Sequence, residues 1–600
     1  MLDFERQYTD VWRHVDKNYR ASARNLLHYL AMRRQDLRSL QPRLAALGLS
    51  SLGRAESYAL SSVSSVLAAL RPFVQSSDEP DDGSLPCDST TGAELLEAHT
   101  VALLGPPPPE RSVHIMVTMP SEAAHDYTLI QGLVESGMTC MRINCAHDNA
   151  ADWLKMIEHL RHACAQSGQT CRVLMDLGGP KLRTGAIEPG IAVRKVRPAR
   201  DALGQVTAPA RVWLTARDSA AAPPAAADAV LHVDGRWLNG LHVAHVVRFD
   251  DARGRPRTLK IADRDRGGVW AELKRTAYFT DETKLQRAVP KGRRHATRIS
   301  GIHAAEGVIH LGVDDVLVLT RDAAPGRAAS YDSAGRLLSP ARVSCTLPEV
   351  FADVKAGHQV CLDDGHVVGI AEAVSPEEIR IRIRRTPLRG ARLKSDKGIN
   401  FPESDLHLPA LTEKDKKDIA FVVRHADIVG LSFANNERDV LELLELVRTD
   451  QSCPGILLKI ETRRGFRNLP AMLLTAMRHD RVGVMIARGD LAVECGYERL
   501  AEAQEEILWI CEAAHCPAIW ATQVLETLAK EGTPSRAEIT DAAMGHRSEC
   551  VMLNKGPHIN DAVRVLDDIL KRMDTHQSKK RAMLRALRLA TAFTMASTHS

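Results

Sequence analysis

From Val113 onward, short apolar runs alternate with stretches of helical period. The runs are VHIMVT (113–118), TCMRIN (139–144), CRVLMD (171–176), ADIVGLSF (426–433), GILLKI (455–460), VGVMIA (482–487), PAIWAT (517–522) and CVMLN (550–554). Between most of them lie segments with apolar residues three and four apart, such as AADWLKMIEHLRHACAQSG and RDVLELLELVRTD. Runs this short and this apolar read as strands buried on both faces, and strand–helix alternation predicts a parallel sheet. Eight such units predict an α/β chain of the closed (β/α)8 TIM-barrel class, with its chemistry at the C-terminal ends of the strands.

The flanking pattern differs. Residues 1–110 carry helical periodicity in SARNLLHYLAMRRQDLRSLQPRLAALG and ESYALSSVSSVLAALRPFV, punctuated by Gly48 and Gly53, then linker-like SSDEPDDGSLPCDSTTG and GPPPPE. Residues 186–400 interrupt the alternation after the third run with a Val-, Gly- and Pro-rich β pattern, an insertion between barrel halves at 111–185 and 401–575. VWLTARD (212–218) resembles VLVLTRD (316–322), and each is followed by a similar stretch, so the insertion is either two related β units or one enlarged β domain. Residues 576–600 read as a helical tail.

Composition narrows the class. Apolar content of 44% and charged content of 26% are those of a soluble globular protein, and the net charge of +4 is small for 600 residues, so no nucleic-acid partner is expected. The run Lys291-Gly292-Arg293-Arg294-His295 reads as a solvated loop. Twelve scattered cysteines without a CxxC pair argue against disulfides or zinc and for a reducing, cytoplasmic setting. The N-terminus has no signal-peptide pattern, and no stretch approaches the roughly 20 apolar residues of a membrane span.

The residues that close the runs are polar. Arg142 and Asn144 end the second, with His147 beyond; Asp176 ends the third, followed by Lys181 and Arg183; Lys459 and Glu461 end the fifth; Asp490 follows the sixth; Thr522 ends the seventh; Asn554 and Lys555 end the eighth. In a strand, residues two apart share a face, so Lys459 and Glu461 point the same way. Alone, that is a structural ion pair where a strand leaves the core. At a shared barrel mouth, Glu461 and Asp490 suit a hard cation such as magnesium, and Arg142 and Lys459 suit phosphate. Together they are equipment for phosphoryl transfer.

These segments resemble the pyruvate kinase family. MRINCAH is similar to its ARLNFSH segment, DLGGPKLRTG to DTKGPEIRTG, KGINFPESDLHLPALTEKD to its KGVNLPG block, LLKIET to SKIEN, ARGDLAVE to ARGDLGVE, and ATQVLETL with TPSRAEITD to ATQMLESM and its continuation. The match covers the barrel and, through Leu362 to Gly365, part of a lid inserted after the third strand. The resemblance implies a two-part variant with a helical N-terminal extension, an enlarged lid and no room for a C-terminal effector domain. It implies phosphoryl transfer between phosphoenolpyruvate and ADP, with Lys459, Arg142 and Thr522 catalytic, Gly489 and Asp490 also at the substrate, Glu461 and Asp490 on magnesium or manganese, and Asn144, His147, Arg183 and Lys397 around the nucleotide. The family's potassium-binding Ser and Thr are Ala146 and Leu177 here, and Lys181 stands where potassium-independent members have lysine, so no potassium requirement is expected. Gly178, Asn435 and Ala492 also depart from the family pattern. A homo-oligomer is compatible with this reading and a membrane partner is not expected. A phosphoenolpyruvate- or nucleotide-binding sensor without turnover, and a metal-dependent lyase or aldolase acting on pyruvate enolate, are the alternatives.

Overall fold

A computed structural model describes residues 1–73, 87–219, 222–288, 294–448, 453–579 and 581–582. All eight apolar runs are strands: β1 (His114–Thr118), β2 (Cys140–Asn144), β3 (Arg172–Asp176), β4 (Ile428–Leu431), β5 (Gly455–Ile460), β6 (Val482–Ala487), β7 (Ala518–Ala521) and β8 (Cys550–Leu553). They pair in parallel and in sequence order, and β1 closes on β8 with His114 opposite Cys550. Almost every strand residue is buried, as expected where helices cover one face and the barrel interior the other.

The barrel interior is filled by Met116, Cys140, Leu174, Ile428, Leu457, Met485, Ile519 and Met552 together with Leu103 and Leu104, which come from outside the barrel. The two leucines end a helix, Ser89–Leu104, that begins inside the stretch expected as linker. Its N-cap is Asp88, whose carboxylate accepts from Thr90 and Thr91 N–H at 3.0 and 2.8 Å. It stops at Gly105, φ +88°, ahead of four prolines. Two glycines at the strand entrances make room for the plug. A Cβ on Gly455 or Gly483 would lie 2.5 Å from a Leu103 methyl carbon.

Of two further N-terminal helices, α1 (Arg20–Arg33) packs against the barrel helix Leu500–Ala513 and α2 (Ala59–Leu70) packs against α1. Buried polar side chains fix them. Asn25 Nδ2 donates to the carbonyls of Glu56 (2.7 Å) and Ala513 (2.9 Å), and its Oδ1 accepts from Ala59 N–H. His515 lies 3.0 Å from Ser22 Oγ and 2.8 Å from the Ser57 carbonyl. His99 reaches the His515 carbonyl at 2.7 Å and stacks on Tyr19 with ring centroids 4.0 Å apart. Met1–Leu182, Leu347–Pro376 and Gly398–Ser600 accordingly form one compact unit. The N-terminal extension is part of the barrel body.

The second unit comprises Arg183–Thr346 and Glu377–Lys397. It contains a seven-stranded sheet in which Ala210–Ala216 pairs in parallel with Ala229–Val233 and antiparallel with Gly268–Leu273. The same element order recurs downstream. Val316–Thr320 pairs in parallel with Ala341–Ser344 and antiparallel with Glu378–Arg385. A short helix and a strand hairpin follow each parallel pair: Gly235–Asn239 with Val246–Asp250 and Pro256–Asp265, then Pro348–Ala352 with Gln359–Leu362 and Val367–Val374. Lys291–Arg293 lies outside the described residues, as do 583–600. At the start of the expected helical tail, Gln577–Ser578 pairs with Arg581–Ala582 as a small antiparallel ladder. Among the described residues no helix is long and apolar enough to cross a membrane.

The histidine clamp makes stability pH-dependent. Burial drives the His515 pKa down to about 4, from an ordinary 6.5. The unfolded chain therefore binds a proton below pH 6.5 that the folded chain refuses until about pH 4, and stability falls as pH drops through that window. One such group is worth on the order of 3 kcal/mol over the full interval. Denaturant titrations at pH 7 and pH 4.5 should show that loss, and His515→Gln should reduce it; an equal loss in the variant would remove His515 from the account.

Candidate active site

At the C-terminal ends of β2, β3 and β5, Asp176 is fully buried between two cations. Arg142 donates to its Oδ2 from Nε at 2.9 Å and again from Nη2. Lys459 Nζ lies 3.1 Å from the same oxygen. Arg142 also donates from Nη1 to Thr118 Oγ1 at 2.9 Å. Lys459 completes its shell with Ser432 Oγ at 2.7 Å and Glu461 Oε1 at 3.0 Å. Glu461 turns its other oxygen to the Phe433 N–H at 2.7 Å. The shared face of Lys459 and Glu461 is thus used by a four-member network of two cations and two anions, none more than 9% exposed.

Local sequence makes the space. Gly430, in β4 beside Asp176, could not carry a Cβ, which would sit 2.8 Å from Asp176 Oδ1. Gly179, with φ +65°, passes Ser432 so closely that a Cβ would be 2.8 Å from its Cβ. Burial opposes ionisation of Asp176, but Lys459 and Arg142 outweigh it and hold its pKa below the ordinary value. Burial likewise works against the Lys459 charge, and Asp176 and Glu461 overcome it, so the ammonium is kept. Burial pushes Glu461 up against the pull of Lys459, and the nearby Asp490 adds to the push.

A second cluster stands at the ends of β6 and β7. Helix Arg488–Cys495 starts directly after β6 and presents Asp490, whose two oxygens each lie 3.1 Å from Lys181 Nζ. Gly489 N–H donates to Thr522 Oγ1 at 2.8 Å. Thr522 and Gln523 both adopt positive φ, 62° and 58°, a strained turn for non-glycine residues. Arg488 secures that turn, donating to the carbonyls of Ala521 (2.9 Å) and Thr522 (2.6 Å), pairing with Asp541, and lying over the Trp520 ring. A cavity of about 410 Å³ opens beside it, lined by Lys181, Asn400, Phe433, Thr462, Asp490 and Glu494 among others. Burial pushes Glu494 up to about 7.

The remaining expected residues are placed differently. Asn144, half-buried at the end of β2, accepts from the Ala146 N–H at 3.1 Å, and His147 is exposed on the following turn. Arg183 and Lys397 belong to the second unit, where Arg183 donates to the Asp396 carbonyl at 2.9 Å. Gly178 and Gly179 give their N–H groups to Asp415, which closes a capping box with the N-cap Thr412 of helix Glu413–His425. Asn435 is taken up by Thr462 and, through its backbone, by Asp439 and Asn468. The sequence reading assigned no role to Asp176, Ser432 or Arg488. Asp176 was marked only by ending a run, and Arg488 only by preceding Gly489.

Among the described residues no three His, Cys, Asp or Glu side chains gather as a ready-made metal cage. A magnesium ion takes one or two carboxylates and fills its octahedron with substrate oxygens and water. Glu461 and Asp490 fit that donor set: hard oxygens, close enough for Asp490 to disfavour the Glu461 charge, a penalty a divalent cation would relieve.

Comparison with known proteins agrees with this geometry. A family profile described as "Pyruvate kinase, barrel domain" matches residues 110–205 and 328–557, more than half the chain. The pyruvate kinase of Geobacillus stearothermophilus is 34% identical over 244 residues, 39% of this chain and 40% of that one. That of Methanocaldococcus jannaschii is 31% identical over 231 residues, 37% and 49% of the two chains. The chain therefore spans less than half the length of these curated relatives. A crystal structure of a pyruvate kinase from Cryptosporidium parvum shares the fold with a TM-score of 0.50 at 20% identity, over 79% of this chain and 72% of that one. With the eight-stranded barrel, its polar strand ends and a profile match across both barrel halves, the chain belongs to the pyruvate kinase family.

Proposed function

We propose that the protein transfers a phosphoryl group from phosphoenolpyruvate to ADP, giving pyruvate and ATP, with magnesium or manganese and without potassium. The observation that carries this reading is the network at Asp176: a guanidinium and an ammonium held side by side, buried and charged, at a barrel mouth. Arg142 binds the substrate phosphate as a fork and Lys459 as a point charge. As the nucleotide oxygen attacks phosphorus and the bond to the enol oxygen breaks, Lys459 stabilises the negative charge left on that oxygen. The enolate then takes a proton at carbon. Thr522 is suited to that side of the reaction, because its oxygen already accepts from Gly489 and its own O–H is left to donate. Glu461 and Asp490 would hold a divalent cation, which would supply neutralisation of the phosphoryl charge. Asn144, His147, Arg183 and Lys397 are assigned to the nucleotide by family resemblance. Lys181, its ammonium fixed on Asp490, takes the place of potassium.

Three measurements test this. Pyruvate formation should require both ADP and magnesium, and Lys459→Met should lower kcat by at least about 10³-fold, as expected when a principal transition-state charge is removed. Retained turnover in that variant would overturn the assignment, and tight ligand binding without turnover in the wild type would select a sensor instead. Rates in sodium-free buffer at constant ionic strength should agree within about twofold with and without potassium chloride; strong activation would overturn the role of Lys181. Asp176→Asn leaves Arg142 and Lys459 facing each other without their shared anion. Breaking such a buried pair should lower unfolding stability by roughly 3–5 kcal/mol in denaturant titrations, alongside lost activity.

A further inference from the structure

The small net charge hides a separation. The second unit, Arg183–Thr346 with Glu377–Lys397, holds 35 lysines and arginines against 20 aspartates and glutamates, a net +15, which leaves −11 for the rest of the chain. A concavity of about 1270 Å³ in the second unit is lined by Arg248, Arg257, Lys274, Arg275, Lys284 and Arg298 among others. Among the described residues, no carboxylate lies within ion-pair reach of Arg248, Lys274, Arg275 or Lys284. Of the acids that line it, Asp251 is buried and paired with Arg253 and Arg257, Glu282 reaches Arg298 at 3.7 Å, and Asp250 is exposed.

The strand register sharpens this. Lys284 lies directly opposite Arg298 across an antiparallel pair, and both are exposed. Like charges in that relation repel unless an anion stands between them. The fold itself does not require these cations. In the recurring element order, Arg248 of VVRFDD occupies the position of Cys361 in QVCLDD. The same strand is built there without the charge.

We propose that this face of the inserted unit binds the phosphodiester backbone of a nucleic acid. The concavity exceeds the roughly 300–1,000 Å³ of small-molecule pockets and is open, and its cations are spread over several strands rather than converging on one point. Guanidinium groups predominate, and their forks match phosphate oxygens. This departs from the expectation drawn from overall charge, because averaging over the chain cancels the basic insert against an acidic barrel. The inference is independent of the catalytic reading.

Fluorescence anisotropy with the full chain and labelled 20-nucleotide RNA or 20-base-pair DNA, at salt from 50 to 200 mM, tests it. Binding in the micromolar range at 50 mM is expected, with a slope of log Kd on log salt near 3, corresponding to roughly four phosphate contacts. The double variant Lys284→Glu/Arg298→Glu should weaken binding at least tenfold and lower the slope, while Arg438→Glu/Arg564→Glu on barrel helices should change affinity less than twofold. Binding to RNA, DNA or both supports the proposal and identifies the source. Absence of binding at 50 mM salt, equal loss in the barrel double variant, or tighter binding to vesicles of anionic phospholipid than to either nucleic acid would overturn it.

Discussion

The barrel mouth depends on one buried carboxylate. Arg142 and Lys459 come from β2 and β5, on either side of β3 and β4, and two cations that reach the same buried oxygen repel strongly. Asp176 removes the conflict by accepting from both. Its position explains features that otherwise look unrelated: the glycine at 430, which leaves room for the carboxylate, and the serine at 432, whose hydroxyl donates to the Leu177 carbonyl while accepting from Lys459. The cations are therefore preorganised, and the Lys459 charge persists despite burial because the anions beside it are part of the fold.

The opposite end of the barrel is solved by packing alone. Strands entered by Gly455 and Gly483 leave a gap that barrel side chains do not fill, and Leu103 fills it. Full burial of a leucine contributes about 1.5–3 kcal/mol, so the helix that delivers it is worth retaining on stability grounds alone. Its partners α1 and α2 are held by Asn25 and His515, neither near the mouth. In barrels of this kind chemistry belongs to the C-terminal end and stability to the N-terminal end, and here the buried charge network and the leucine plug lie at those two ends.

The barrel was legible in the sequence because fully buried parallel strands leave uninterrupted apolar runs, and each of the eight runs is a strand. The helix Ser89–Leu104 was less legible: its Ser-Thr-Thr-Gly opening reads as linker, yet the same residues are an N-terminal turn capped by Asp88. Gly92 has its own purpose, since a Cβ there would sit 2.3 Å from the Ser57 carbonyl. At the mouth, residue type pointed to Lys459, Glu461 and Asp490, but no one-dimensional signal says that an acid ending one strand serves cations on two others. VWLTARD and VLVLTRD each hold a strand that pairs in parallel with the next strand and antiparallel with a later one. Charge segregation was invisible in a chain-wide sum and visible only once the units were divided.

Glu461 ties the two clusters at the mouth into one electrostatic unit. One of its oxygens faces Lys459, and its charge is disfavoured by Asp490, which is itself held by Lys181. Each acid thus already has an ammonium. On the proposed reading, a substrate phosphate attracts Lys459 away from Glu461, and the carboxylate left behind becomes a better oxygen donor beside Asp490. Anion and divalent cation would then favour each other's binding, because each would relieve a charge the other exposes.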